Sequence, residues 1–219
     1  GDFDVVTHEA IPASANRAFD IPLRGITVKG KGDQLAYALN NTADIVTILE
    51  DYFGTAYPYK KLDLVAVPDF SAGAMENAGL ITYREQLLLL GDSPSYAQQR
   101  EFASIHAHEL AHQWFGNLVT MRWWDDIWLN EAFATWMGHK ALNQWQPKFE
   151  FSRSLIKSGH QVMAQDALVN ARQIREPIIN NDVIESAFNR ITYQKGGAVL
   201  QMFERFIGPE IFRQGVQYH

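Results

Sequence analysis

The sequence predicts an α+β fold. A small mixed β-sheet lobe over residues 1–93, with one long helix, precedes a mainly helical lobe over residues 94–219. Three observations predict it. Short apolar stretches of strand type cluster early in the chain. Gly91-Asp92-Ser93-Pro94 is a clear break. Beyond that break the apolar residues follow helical spacing almost throughout.

The elements follow in order. Phe3, Val5 and Thr7 alternate within Gly1–Glu9, and Leu23, Ile26 and Val28 mark a second strand over Ile21–Lys29. Pro12–Arg17 is a polar connection, and Gly30-Lys31-Gly32-Asp33 ends the second strand. Gln34–Phe53 reads as one helix, with Leu35, Ala38, Leu39, Ile45, Leu49 and Tyr52 along a face. Tyr57-Pro58-Tyr59 is a turn, and Leu62–Val67 is a short apolar strand. Phe70–Asn77 is an exposed, glycine-punctuated segment. Leu80–Tyr83 and Leu87–Leu90 read as strands. Helices are expected at roughly 95–117, 126–144, 147–165, 185–206 and 209–218.

Hydrophobic residues make up 47% and charged residues 20% of the 219, enough apolar material for a substantial core. A net charge of −6 argues against nucleic-acid binding. No apolar run of about 18 residues is present, so no membrane span is expected. With no cysteine, disulfides and thiolate metal sites are excluded, and any metal must be held by imidazole and carboxylate. Cytoplasm and bacterial cell envelope both suit such a chain.

One helical stretch concentrates the chemistry. His108-Glu109-Leu110-Ala111-His112 is an H-E-x-x-H pattern. Residues four apart on an α-helix differ by about 40° around the axis, so His108 and His112 can share one cation. Glu109 reaches the same space as a general base without being a ligand. A third ligand is needed, and the best candidate is Glu131, with eighteen residues between it and His112. Asp125 or Asp126 is positioned to cap the helix that carries it. His106 lies about 200° from His108 and is expected to face elsewhere. Thr135, one turn past Glu131, is a candidate supporting partner. The tryptophan-rich stretch from Trp114 to Trp136 has helical spacing and is expected to be core.

His108, His112 and Glu131 at this spacing, with Gly73-Ala74-Met75-Glu76-Asn77 upstream, resemble the M1 family of zinc aminopeptidases. The resemblance implies a zincin (thermolysin-like) catalytic domain and one Zn²⁺ held by His108, His112 and Glu131. It makes Glu109 the general base and Tyr193 the residue that stabilises the transition state. It implies that Gly73, Ala74, Met75, Glu76 and Asn77 bind substrate, with Glu76 taking the free α-amine of a peptide. Relatives often have Trp where Ala78 stands and Asp where Asn189 stands.

Three alternatives stay open. One branch resembling this family hydrolyses epoxides, although it typically has Gly where Ala74 stands. Thermolysin-type endopeptidases share the histidine motif. A non-catalytic peptide-binding domain is the third. Gly1 reads as a cut end, and Pro209–His219 stops inside an apolar pattern. The resemblance therefore implies flanking domains, a β-rich one before and a helical one after, as partners, and weak turnover for the 219 residues alone.

Overall fold

A computed structural model describes residues 1–219. The sheet lobe holds five strands: β1 (Phe3–Thr7), β2 (Leu23–Val28), β3 (Leu62–Val67), β4 (Ala74–Met75) and β5 (Leu80–Arg84). Their order is β1-β2-β3-β5-β4. The central pairs β2–β3 and β3–β5 are parallel, and both outer pairs are antiparallel. The sheet is therefore mixed, with the two-residue β4 at one edge. That strand lies inside the segment read from sequence as exposed and glycine-punctuated, and its two residues carry no usable alternation.

Helices α1 (Ala36–Asn40) and α2 (Thr42–Phe53) replace the single helix expected over 34–53. Asn41 interrupts it. Its Nδ2 donates to the Tyr37 carbonyl at 2.7 Å, and Thr42 Oγ1 donates to the Ala38 carbonyl at 2.8 Å. Both side chains take carbonyls the helical ladder would use. Gly54, at φ 62°, closes α2 in the left-handed conformation. A correction falls at 87–90. The expected strand is absent, and the chain forms the short helix α3 (Glu85–Leu88), with Leu89 N–H donating to Glu85 O at 2.8 Å. A four-residue leucine run has no period that separates the two states.

The helical lobe comprises α4 (Tyr96–His112), α5 (Ile127–Trp145), α6 (Phe151–Asp166), α7 (Gly196–Ile207) and α8 (Pro209–Tyr218). A reciprocal Ser95–Gln98 capping box starts α4. The helix expected over 185–206 is broken into a 3₁₀ segment (Asn181–Ala187), a π-helix (Ile191–Lys195) and α7. Asn189 causes the break: its Oδ1 accepts from Ile191 N–H at 2.9 Å, and its Nδ2 donates to Ser186 O at 2.7 Å. The expected capping by Asp125 or Asp126 is not made. Asp126 Oδ1 accepts from Arg175 Nε at 2.7 Å, and Asp125 Oδ1 accepts from Ile178 N–H at 2.7 Å. The aromatic stretch is core at Trp114 and Trp136, while Trp123 is 47% exposed.

One continuous apolar core runs from Ile11 and Leu23 in the sheet lobe through Leu49, Leu110 and Trp114 to Met137 and Leu155 in the helices. The lobes therefore share a single interior. Two polar groups inside it are fully paired. Arg17 Nε donates to Glu50 Oε1 at 2.8 Å, and Glu50 also accepts from Ser14 Oγ and Tyr57 N–H. His106 is the second. Thr42 Oγ1 spends its proton on Ala38 O, so it accepts from His106 Nε2–H at 3.0 Å. His106 Nδ1 is then free to accept from Tyr83 O–H at 2.7 Å. As expected from sequence, His106 points away from His108 and into the core.

Burial depresses the His106 pKa to about 3. Below its unfolded value of about 6.5, the unfolded chain binds a proton that the native chain does not, so stability falls as pH falls. The expected slope from this group is about 1.4 kcal/mol per pH unit between pH 6.5 and 3. Urea unfolding from pH 7 to 4 checks it: His106→Gln should show a slope smaller by about that amount. Equal slopes would rule the contribution out.

Candidate metal centre

Helix packing assembles the site. Gly138 on α5 lies so close to α4 that a Cβ there would sit 3.1 Å from the His108 backbone nitrogen. Glu131 precedes Gly138 by two turns on the same face of α5, so the close crossing presents Glu131 to α4. His108 and His112 occupy one face of α4. Their ring nitrogens and the Glu131 carboxylate meet: Nε2–Nε2 is 3.0 Å, and Glu131 Oε2 lies 3.1 Å from His108 Nε2 and 3.3 Å from His112 Nε2.

The outer ring nitrogens fix how these groups face inward. His112 Nδ1 donates to the Phe115 carbonyl at 2.9 Å, which leaves the Nε2 lone pair toward the cluster. Gly116, at φ 134°, permits this turn, since a Cβ there would lie 2.8 Å from His112 Nδ1. His108 Nδ1 lies 3.4 Å from Thr135 Oγ1. Thr135 thus stands where a supporting partner was expected.

Three acceptors converging at 3.0–3.3 Å repel unless a proton or a cation is held between them. Ligands with bonds of about 2.0–2.1 Å around a tetrahedral zinc lie about 3.3 Å apart, close to these separations. His108, His112 and Glu131 therefore fit a cation with imidazole and carboxylate ligands. The three groups also act on one another's titration. Burial lowers the His108 pKa, and the neighbouring His112 lowers it further. Burial also opposes charge on His112, but its hydrogen bond to Glu131 and the surrounding carboxylates outweigh that and raise it to about 9. Burial opposes charge on Glu131 too, yet the two imidazoles hold its carboxyl well below the usual range.

Glu109 sits beside these groups but outside the ligand set. Its Oε2 is buried with no hydrogen-bond partner. Burial raises its pKa to about 8, with His112 opposing and Glu76 and Glu131 adding to the rise. Tyr193 comes from the π-helix, a form often found at functional sites. Its ring stacks on His108 at a centroid distance of 5.9 Å. Burial, then the Glu131 charge, raise its phenol pKa. Gly196 lets this segment lie against α5, since a Cβ there would meet Ala132 Cβ at 2.5 Å.

The upstream motif is tied to the segment that follows α4 through the Glu76 carbonyl. Ala74 and Met75 form edge strand β4, which leaves one side of its backbone unpaired. Gly73 O accepts from Arg84 N–H at 2.9 Å, and Asn77 Nδ2 lies 3.3 Å from Thr82 Oγ1. Glu76 is half-buried, and its charge acts on His108, Glu109, His112 and Tyr193. His108, His112 and Glu131 thus form one cluster, with Glu109, Tyr193 and Glu76 within electrostatic reach of it, while Gly73, Ala74, Met75 and Asn77 lie along the strand and turn that carry Glu76. Sequence reasoning missed Gln113 and Asn117, whose side chains both donate to the Glu76 carbonyl, at 3.0 and 2.7 Å. Their one signal was position: amide side chains one and five residues after the second histidine.

An α+β scaffold with two imidazoles and a carboxylate on crossing helices, beside a free buried carboxylate, has the design of a metal-dependent hydrolase. Comparison with known proteins gives the family. The Peptidase family M1 domain matches residues 37–219, and the chain belongs to that family. It is 43% identical over 194 residues to "Probable aminopeptidase 2" of Sulfurisphaera tokodaii, covering 88% of this chain and 25% of that protein. It is 41% identical over 191 residues to "Leucyl aminopeptidase" of Saccharolobus solfataricus, covering 87% and 24%. It is 43% identical over 187 residues to "Endoplasmic reticulum aminopeptidase 2" of Homo sapiens, covering 85% and 20%. The chain spans about a quarter of the length of the curated relatives it matches. No helix is long and apolar enough to cross a membrane.

Proposed function

We propose that residues 1–219 are the zincin (thermolysin-like) catalytic domain of a zinc aminopeptidase that removes the N-terminal residue of peptides. The observation that carries this reading is the convergence of His108, His112 and Glu131 beside an unpartnered Glu109, with Glu76 within electrostatic reach. The names of its relatives point the same way. His108, His112 and Glu131 would hold one Zn²⁺. Zinc bound there would supply a Lewis acid for a peptide carbonyl and lower the pKa of water from 15.7 to about 7.

The chain's own residues do the rest. A peptide extends β4 by pairing with its open edge at Gly73, Ala74 and Met75. Glu76 attracts the protonated α-amine, and Asn77 closes the turn behind it. That places the first peptide bond, and no later one, against the cluster. Glu109 accepts the proton of the attacking water and passes it to the leaving amine. Tyr193 donates its phenolic hydrogen to the developing oxyanion. Flanking domains of the longer protein complete the cavity.

Tyr193→Phe is expected to lower turnover about 10²–10³-fold, the usual loss for one oxyanion donor, with zinc content unchanged. Single-turnover assays paired with metal analysis check this; near-normal turnover would remove Tyr193 from the mechanism. The function itself is tested with a free-amine aminoacyl reporter and its N-acetylated twin. Cleavage of the free amine alone is expected. Equal cleavage of both would indicate an endopeptidase, and binding without cleavage a peptide-binding domain.

A further inference from the structure

The segment directly after the second histidine touches both halves of the site. Gln113 is fully buried. Its Oε1 accepts from Gly79 N–H at 3.0 Å, and its Nε2 donates to Glu76 O at 3.0 Å. One amide side chain thus grips both ends of the turn that leads out of β4. That turn is closed by Leu80 N–H donating to Asn77 O at 2.9 Å, with Gly79 at φ 66° in its third position. Its far side is held as well. Lys61 Nζ donates to Gly79 O at 2.9 Å, and a Cβ on Gly79 would lie 3.1 Å from Lys61 O. Asn117 adds a second donor to the Glu76 carbonyl at 2.7 Å, and its own N–H donates to His112 O at 3.0 Å.

The same five residues orient the metal-facing imidazole, because Phe115 O receives His112 Nδ1–H at 2.9 Å. A single short stretch, Gln113–Asn117, therefore sets His112 on one side and Glu76 on the other. The carbonyl it holds belongs to Glu76 itself, so the Glu76 Cα cannot shift along β4 without breaking two hydrogen bonds. A shift of one residue would move the carboxylate to the opposite face of the strand.

We infer that Gln113 and Asn117 are positioning residues that fix the distance between the amine-binding Glu76 and the metal centre. They thereby determine that the enzyme cuts at the first peptide bond. The inference rests on the aminopeptidase reading above. Neither side chain touches substrate; both act through the Glu76 backbone. Asn117 is the better probe, since it is half-buried whereas Gln113 lies fully inside.

The test uses the zinc-loaded protein and the same reporter pair. Asn117→Ala is expected to raise KM for the free-amine substrate roughly tenfold, the scale of one lost hydrogen bond, with kcat changed less than about twofold and zinc content unchanged. Asn117→Asp keeps the shape but loses the donor, and should not restore KM. Glu76→Gln alone should raise KM further, and adding Asn117→Ala to it should change little, because the clamp acts through Glu76. Gln113→Leu should repeat the Asn117→Ala pattern if it folds. If Glu76→Gln costs the free-amine preference but Asn117→Ala does not, the clamp is wrong and the reading of Glu76 stands. If Glu76→Gln itself leaves the preference intact, the aminopeptidase reading fails first. Restoration of KM by Asn117→Asp, or full additivity with Glu76→Gln, would reduce Asn117 to a packing role and overturn the inference.

Discussion

Glu109→Gln is expected to keep the metal and lose turnover by about 10²–10⁴-fold, the range for removing a general base. The substitution is nearly isosteric, and Glu109 contributes no ligand atom, so zinc stoichiometry should stay at the wild-type value. A second readout needs no zinc. In the metal-free protein, burial lifts the Glu109 pKa from 4.5 to about 8. Between those values the native chain holds a proton that the unfolded chain has released, so stability falls as pH rises. The slope from this group is about −1.4 kcal/mol per pH unit, and the amide variant lacks it. Metal-free Glu109→Gln should therefore be the more stable protein at pH 8 while being the inactive one when loaded. Full turnover in a zinc-loaded Glu109→Gln protein would assign the base elsewhere.

Glu131→Ala is expected to abolish both metal retention and turnover. The loss of a supporting partner already costs up to about 100-fold in affinity, so the loss of one of three ligands should exceed that. Competition against a zinc-responsive chelator measures it; an affinity within tenfold of wild type would exclude Glu131 as a ligand. The metal-free protein again offers an independent signal. Glu131 is the main group that raises His112 to about 9 against its burial. Without that carboxylate, burial should bring the His112 pKa down toward or below its ordinary 6.5, as read by imidazole NMR. An unmoved His112 would contradict the geometry of the cluster.

The site was more legible in the sequence than the fold that carries it. A spacing of four on a helix is set by backbone geometry, so His108 and His112 could be placed together without any tertiary knowledge. Glu131 was legible as a candidate ligand and Glu76 through family resemblance, but that they meet the histidines was not, because the crossing at Gly138 and the β4–β5 hairpin are tertiary events. The elements misread have two causes: side chains that compete with the backbone ladder, and runs with no period. Asn41 and Asn189 each take backbone partners and break a helix that apolar periodicity would continue. Leu87–Leu90 is apolar at every position, so no period could show that Leu89 closes a helical turn on Glu85. The π-helix at Ile191–Lys195 follows from the Asn189 break and from the contact of Gly196 with Ala132, neither visible one residue at a time. The roles of Gln113 and Asn117 could not be read from their position alone. Their partner is a main-chain carbonyl, and every residue has one.

The central claim is that one cation is held by His108, His112 and Glu131. X-ray absorption at the zinc edge of the purified, zinc-reconstituted protein tests it most directly. The account expects one zinc per chain, with two imidazole nitrogens and oxygen neighbours at about 2.0–2.2 Å, and the loss of one imidazole from the scattering pattern in His112→Ala. Sub-stoichiometric zinc, or a spectrum that His112→Ala leaves unchanged, would contradict it.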